Sequence, residues 1–132
     1  RYTLLEQGAL AEFMPHAAAR GIGVIIGGPY NSGILAGDVP DGATYDYSAA
    51  PAPLIGRARR IAAVCRRHGV PLAAAALQFP LAHPAVCSVI PGALSVREVE
   101  QNLAHLRHPV PGALWQELRA EGLLAPEAPV PG

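Results

Sequence analysis

The stretch VCSVIPGALSVREVEQN, from Val86 to Asn102, decides how the rest of the chain is interpreted. Its first part, residues 86–90, is mostly apolar and β-branched and lies between two prolines, which predicts a short buried strand. The turn Pro91-Gly92-Ala93 follows at once. Ser95 then occupies an N-cap position with Glu98 three residues later, which is the pattern of a capping box.

A strand that ends in a small-residue turn and enters a capped helix directs backbone N–H groups toward one point. The positive end of the helix dipole lies at the same point, so the turn is a natural seat for a phosphate or another anion. We therefore predict an anion-binding position after this strand.

Length, composition and net charge limit the classes of protein to which this chain can belong. The chain has 132 residues, of which 51% are apolar, and its formal net charge is zero. This length fits one domain, 1–132, and no apolar run reaches the ~18 residues of a membrane span. A nucleic-acid binder carries a basic excess, so we expect neither a nucleic acid nor a membrane as partner. No targeting segment is visible, and the start without Met leads us to expect further sequence upstream.

The two cysteines, Cys65 and Cys87, are too far apart in sequence for a close-spaced pair. We interpret both as buried apolar side chains in a reducing compartment and expect a cytoplasmic protein. A disulfide or a metal site is the less favoured alternative.

Strand-like and helical patterns alternate along the chain. The predicted strands cover 2–5, 21–26 and 86–90, and the predicted helices cover 9–20, 51–68, 72–79, 95–106 and a last segment from 111. The second strand is apolar almost throughout, which predicts burial on both faces, as in a parallel sheet. This order predicts an α/β fold with parallel crossovers, and ligands of such folds bind at the carboxyl ends of the strands.

The loop after the second strand, 27–33, holds three glycines together with Asn31 and Ser32. Glycines let a backbone approach a phosphate, and a serine hydroxyl can donate to it. The alternative is a plain turn of small residues, because the motif lacks the lysine of a P-loop and does not open a helix. A long loop follows to about Ala50, and its Tyr45 and Tyr47 are candidates for a cover over a site.

The remaining polar residues yield no catalytic set. The five histidines lie near helix ends or before a strand, where structural roles are ordinary, and no nucleophile has a base near it in sequence. Trp115 is interpreted as a packing residue. We predict neither a metal site nor a catalytic residue in this chain.

Three stretches, in order, resemble the C-terminal part of an aldo-keto reductase: RYTLLEQ at 1–7, VIIGGPYNSGIL at 24–35 and VIPGALSVREVEQN at 89–102. Within that superfamily they are most similar to the branch of L-fucose and D-threo-aldose 1-dehydrogenases, with pyridoxal 4-dehydrogenase close by. The resemblance implies a (β/α)8 barrel of which this chain supplies about strands six to eight. It also implies that the family's catalytic Asp, Tyr, Lys and His lie on earlier strands, so none is assigned here.

The resemblance further implies a nicotinamide dinucleotide as cofactor and a sugar or a related aldehyde or alcohol as substrate. It places the pyrophosphate at the strand-seven loop and the adenosine end at the strand-eight turn and helix. The implied cofactor-binding residues are Gly28, Tyr30, Ser32, Gly92, Ala93, Ser95, Glu98, Gln101 and Asn102. It implies nothing about the oligomeric state.

Two departures from the family pattern bear on the cofactor. Many NADP-using members place Lys after the strand-eight Pro and Arg in the next helical turn, where this chain has Gly92 and Glu98. A carboxylate repels a 2′-phosphate and accepts from a ribose hydroxyl, which favours NAD. NADP remains the alternative because Arg97 is adjacent. Gly27 replaces an aromatic that stacks on the nicotinamide, and Tyr30 is the candidate substitute.

The competing function is a non-catalytic α/β module that binds a nucleotide or an anion. The enzyme and the module differ in the sequence expected before Arg1, because a complete enzyme barrel needs about five more strand–helix units there. Three strands cannot close a barrel, so we expect the 132-residue chain alone to be inactive.

Overall fold

A computed structural model describes residues 1–46 and 48–132, so the predicted role of Tyr47 in a cover lies outside the described residues. The described helices are α1 (Phe13–Ala19), α2 (Ala52–Arg67), α3 (Leu72–Gln78), α4 (Val96–Arg107) and α5 (Gly112–Ala120). The strands are β1 (Val24–Gly27), β2 (Thr44–Tyr45), β3 (Ser48–Ala49) and β4 (Val86–Ile90). Short 3-10 helices cover Gly8–Leu10 and Phe79–Ala82. No described helix is both long and apolar enough to cross a membrane.

The two apolar strands β1 and β4 pair in parallel, with α2 and α3 between them in sequence. The register sets Ile25 beside Ser88, Ile26 beside Val89 and Gly27 beside Ile90. This confirms the predicted parallel crossover. Because both strands run the same way, the loop after β1 and the turn after β4 emerge at the same edge of the sheet.

The prediction of a strand at residues 2–5 is wrong. Thr3 donates its backbone N–H to the Glu6 carbonyl at 2.8 Å, and its hydroxyl oxygen accepts the Glu6 N–H at 3.1 Å. This local turn satisfies polar groups that a sheet would otherwise pair. Tyr2 and Leu4 are nonetheless fully buried, so the segment contributes to the core and not to the sheet.

The predictions that β1 is buried on both faces and that β4 is a buried strand are also wrong. Ile26 is buried and Val89 packs against the core, but Ile25 and Ile90 are 58% and 60% exposed. Alternate residues of a strand point to opposite faces, and no described element covers the face that carries Ile25 and Ile90. Cys87 on β4 is exposed as well, against expectation, whereas Cys65 is buried as predicted and burial raises its pKa to about 11.

The helix predicted at 9–20 is shorter than expected, whereas the other helices follow their sequence signals closely. α1 begins only at Phe13, which places Pro15 in its first turn, where a missing N–H costs nothing. Gly21 ends the segment at φ +64°, as predicted. α2 begins after Pro51 and ends at Arg67, and the long loop before it contains the short hairpin β2–β3.

The core lies on the helical side of the sheet. Its largest members form an aromatic row in which the Phe79 ring centroid is 5.3 Å from that of Tyr2 and 6.2 Å from that of Trp115. Trp115 is fully buried, which confirms its interpretation as a packing residue. α4 is different because none of its residues is buried.

Candidate functional site

The carboxyl ends of β1 and β4 open into a cleft of about 940 Å³. Its walls are the loop after β1, the turn after β4 and one face of α4. All of the residues predicted to bind cofactor line this cleft, with the exception of Ser95. Those that line it are Gly28, Tyr30, Ser32, Gly92, Ala93, Glu98, Gln101 and Asn102. Residues from positions more than sixty apart in sequence are thus brought together by one pair of parallel strands.

The loop after β1 curls tightly. Gly28, Asn31, Ser32 and Gly33 all have positive φ, at 63°, 51°, 58° and 95°. Asn tolerates this left-handed region better than most residues, but Ser does not favour it, so the loop holds a costly conformation at the cleft. The Tyr30 carbonyl accepts the N–H groups of Gly33 and Leu35, whereas the N–H groups of Tyr30 and Ser32 have no partner among the described residues.

Tyr30 connects the two walls of the cleft. Its hydroxyl donates to Asn102 Oδ1 on α4 at 2.8 Å, and Asn102 Nδ2 lies 3.4 Å from the Gly92 carbonyl oxygen. The Tyr30 side chain is largely buried, and this burial raises its pKa to about 12. A buried ring tied to α4 disfavours the expected role of Tyr30 as a substitute that stacks on a nicotinamide.

The capping box forms with one change. Ser95 Oγ accepts the Glu98 N–H at 3.2 Å, as predicted. The Glu98 carboxylate returns to the N–H of Leu94 at 2.5 Å and not to that of the N-cap residue. Ser95 is therefore occupied in capping α4, while Glu98 places a negative charge at the entrance of the helix and on the cleft wall.

A second polar cluster borders the cleft and was not predicted from the sequence. Arg1 pairs with Asp46 and donates to the Tyr45 hydroxyl at 2.6 Å, and that hydroxyl donates to Glu6 Oε1 at 2.6 Å. The bond with Asp46 raises the pKa of Arg1. The cluster ties the β2–β3 hairpin to the N-terminal segment, and Arg1 and Asp46 line the cleft. No local sequence signal links residues this far apart.

Asn31 belongs to the same cluster. Its amide NH₂ donates to Glu6 Oε2 at 2.5 Å, and the side chain is largely buried. Asn31 Oδ1 has no hydrogen-bond partner among the described residues. Of the glycine-rich loop, Gly28, Tyr30 and Ser32 were predicted to bind the cofactor, and Asn31 was not.

His83 lies outside the cleft and has a structural partner. His83 Nδ1 accepts the Ala85 N–H at 3.1 Å. His105 lines the cleft, and its pKa is lowered by burial and by the nearby His108. Within 1–46 and 48–132, no cluster of three or more His, Cys, Asp or Glu side chains is placed to hold a metal ion.

Comparison with known proteins gives one consistent family. The sequence model of the Aldo/keto reductase family matches residues 1–120. Pyridoxal 4-dehydrogenase of Microbacterium luteolum is 43% identical over 125 residues, which are 95% of this chain and 36% of that protein. D-threo-aldose 1-dehydrogenase of Pseudomonas sp. is 44% identical over 128 residues, covering 96% of this chain and 38% of that protein.

Solved structures of aldo-keto reductases are similar to this chain as well. The holo form of an aldo-keto reductase from Bacillus halodurans superposes with a TM-score of 0.67 at 25% identity, over 95% of this chain and 41% of that one. Its apo form superposes with the same TM-score. The chain spans less than half the length of each of these relatives.

Proposed function

Since the chain belongs to the aldo/keto reductase family, we propose that its cleft holds the dinucleotide cofactor of an oxidoreductase, and NAD in preference to NADP. The observation that carries this proposal is the convergence of the loop after β1, the turn after β4 and α4 on one cleft. These are the segments that the resemblance assigns to the pyrophosphate and the adenosine end. We also propose that β1 and β4 correspond to strands seven and eight of a (β/α)8 barrel.

The donors around the cleft suit a diphosphate. The N–H groups of Tyr30 and Ser32 have no partner among the described residues, and Ser32 Oγ accepts the Asp46 N–H at 3.1 Å, so the hydroxyl proton of Ser32 remains available. A Cβ added at Gly28 or Gly33 would meet nothing within 4 Å, so the glycines serve the backbone conformation and leave the approach open.

The preference for NAD rests on Glu98 and Gly92. The Glu98 carboxylate accepts the Leu94 N–H and lines the cleft, which places it beside the proposed position of the adenosine. A carboxylate there accepts from a ribose 2′-hydroxyl and repels a 2′-phosphate. Gly92 offers no side chain that would neutralise such a phosphate.

We propose that the whole protein oxidises a sugar or a related alcohol to the carbonyl compound. The bound cofactor supplies the hydride acceptor for that reaction. The residues of this chain bind and orient the cofactor, and the acid–base group that moves the substrate proton belongs to barrel strands other than β1 and β4. The 132-residue chain alone is expected to bind cofactor without turning over substrate.

Calorimetric titration of the 132-residue chain with NAD and with NADP tests the binding proposal. NAD is expected to bind more tightly, and Ser32→Ala is expected to weaken NAD while Ser88→Ala, exposed on β4, leaves it unchanged. Tighter binding of NADP would contradict the cofactor preference. Binding of inorganic pyrophosphate without any gain from the adenosine or nicotinamide parts would favour the anion-binding module instead.

A separate assay tests the absence of turnover. The chain is incubated with NAD and an aldose such as L-fucose, and absorbance at the NADH band is followed. No increase is expected, and measurable oxidation would contradict the assignment of the catalytic groups to other strands.

A further inference from the structure

The hydrogen bond between Tyr30 and Asn102 joins two parts of the proposed cofactor site that are 72 positions apart in sequence. Tyr30 lies in the loop assigned to the pyrophosphate, and Asn102 lies near the middle of α4, on the wall assigned to adenosine. Tyr30 is 9% exposed, so the bond is shielded from water on the tyrosine side. A bond of 2.8 Å in such surroundings holds both side chains in place.

The surroundings of Asn102 fix which way its amide points. The Gly92 carbonyl oxygen can only accept, so the amide atom 3.4 Å from it is the NH₂ group. The other amide atom, Oδ1, can only accept, so the Tyr30 hydroxyl must be the donor. Because burial raises the Tyr30 pKa to about 12, the hydroxyl keeps that proton at neutral pH.

We propose that Tyr30 is a positioning residue that holds Asn102 Oδ1, so that the N–H of Asn102 Nδ2 not directed at the Gly92 carbonyl is available in the cleft and α4 recognises an acceptor nitrogen of a purine base. This inference rests on the proposed function. An amide free to rotate would offer either its oxygen or its NH₂ to the base. The hydrogen bond from Tyr30 fixes the orientation of the amide before the ligand binds. It also links the loop proposed to bind the pyrophosphate to the helix proposed to bind the base.

The test compares two ligands in the 132-residue chain. ADP-ribose carries both the base and the diphosphate, whereas inorganic pyrophosphate carries only the latter, and both are titrated by NMR. Tyr30→Phe keeps the ring and removes the donor, so we expect affinity for ADP-ribose to fall about three- to tenfold, the range that loss of one hydrogen bond gives. Affinity for pyrophosphate is expected to change less than about twofold by the same reasoning.

Tyr2→Phe is the matched control. The Tyr2 hydroxyl is buried without a partner among the described residues, in the aromatic core, so its removal tests whether any buried tyrosine hydroxyl matters. It should leave both affinities unchanged. Equal losses of ADP-ribose and pyrophosphate binding in Tyr30→Phe would show a merely structural role for Tyr30 and overturn the inference.

A double-mutant cycle with Asn102→Leu tests whether Tyr30 acts through Asn102. Tyr30→Phe is expected to have no further effect on ADP-ribose once Asn102 is replaced, and a full effect in that background would overturn the inference. Asn102→Leu alone must weaken ADP-ribose and spare pyrophosphate, which keeps the inference testable if Tyr30→Phe fails to fold. A wild-type chain that binds neither ligand refutes the proposed function and this inference together, whereas normal binding that is insensitive to Tyr30→Phe refutes this inference alone.

Discussion

Glu98 carries two functions on one side chain. Its backbone N–H is capped by Ser95, and its carboxylate accepts from Leu94 while lining the cleft. Glu98→Arg removes a charge that repels a 2′-phosphate and adds a guanidinium that can pair with it. We expect the ratio of NADP to NAD affinity to rise by about tenfold or more, measured by calorimetry.

Glu100→Arg is the control for this change. It introduces the same charge on the same helix at an exposed position that does not line the cleft. An equal rise in both variants would mean that net charge, and not the position of Glu98, sets the preference. That outcome would remove the main support for NAD.

His83 makes stability depend on pH. The side chain is buried, Nδ1 accepts the Ala85 N–H, and burial lowers its pKa below the ordinary value of 6.5. The unfolded chain therefore takes up this proton at a higher pH than the folded chain does. The stabilisation is fully present above about 6.5 and is lost as pH falls through the folded pKa.

Urea unfolding between pH 8 and pH 5 measures this loss. His83→Asn keeps a side-chain acceptor for the Ala85 N–H but cannot titrate, so it is expected to flatten part of the pH dependence. His83→Ala leaves that N–H without its acceptor and is expected to cost about 1–3 kcal/mol at pH 8. A pH profile of His83→Asn identical to wild type would contradict the assignment.

Among the elements, α4 depends most on its cap. None of its residues is buried, although Gln78 of α3 donates to the His105 and His108 carbonyls, so α4 buries less apolar surface than the core helices and its N-terminal hydrogen bonds matter more. Ser95→Ala is expected to lower the free energy of unfolding by about 1 kcal/mol, and Ser95→Asp, which also caps, should restore most of it. Urea unfolding followed by circular dichroism gives both values.

Ser88→Ala serves as control, because Ser88 is exposed on β4 and is outside any cap. If Ser95→Ala and Ser88→Ala have the same effect, the cap does not stabilise α4. Because Ser95 does not line the cleft, we expect Ser95→Ala to affect cofactor binding only through the stability of α4.

The secondary-structure elements also show how much of the fold can be predicted from sequence patterns. The bounds of α2, α4 and β4 agree with prediction to within about one or two residues, because caps, prolines and apolar runs act locally. The segment 2–5 was wrongly predicted as a strand. Its apolar residues are indeed buried, but burial alone does not decide between a strand and a turn, and Thr3 supplies the turn's hydrogen bonds.

At the scale of the whole molecule, the sheet has one uncovered face. Ile25 and Ile90 lie on it, and among the described residues β1 and β4 pair only with each other, so each strand has a free edge. Exposed apolar faces and free edges promote association. We expect the isolated chain to associate as its concentration rises, as measured by sedimentation velocity.

Ile25→Lys and Ile90→Lys are expected to weaken that association, because they place charges on the uncovered face. Phe13→Lys adds the same charge at an exposed position on α1 and should have no effect. A wild-type chain that stays monomeric at all concentrations would contradict the prediction.

The sequence by itself determined the family, the strand–turn–helix unit at 86–102, the parallel pairing of two apolar strands and the residues that gather at their carboxyl ends. Each follows from local hydrogen bonding, from periodicity or from a motif of fixed spacing. Only the tertiary structure decided which face of the sheet is covered, where the Glu98 carboxylate binds, and that Arg1, Glu6, Asn31 and Tyr45 form one cluster. The reason is physical, since these contacts join residues distant in sequence, and no local pattern encodes which side chains a fold brings within hydrogen-bond distance.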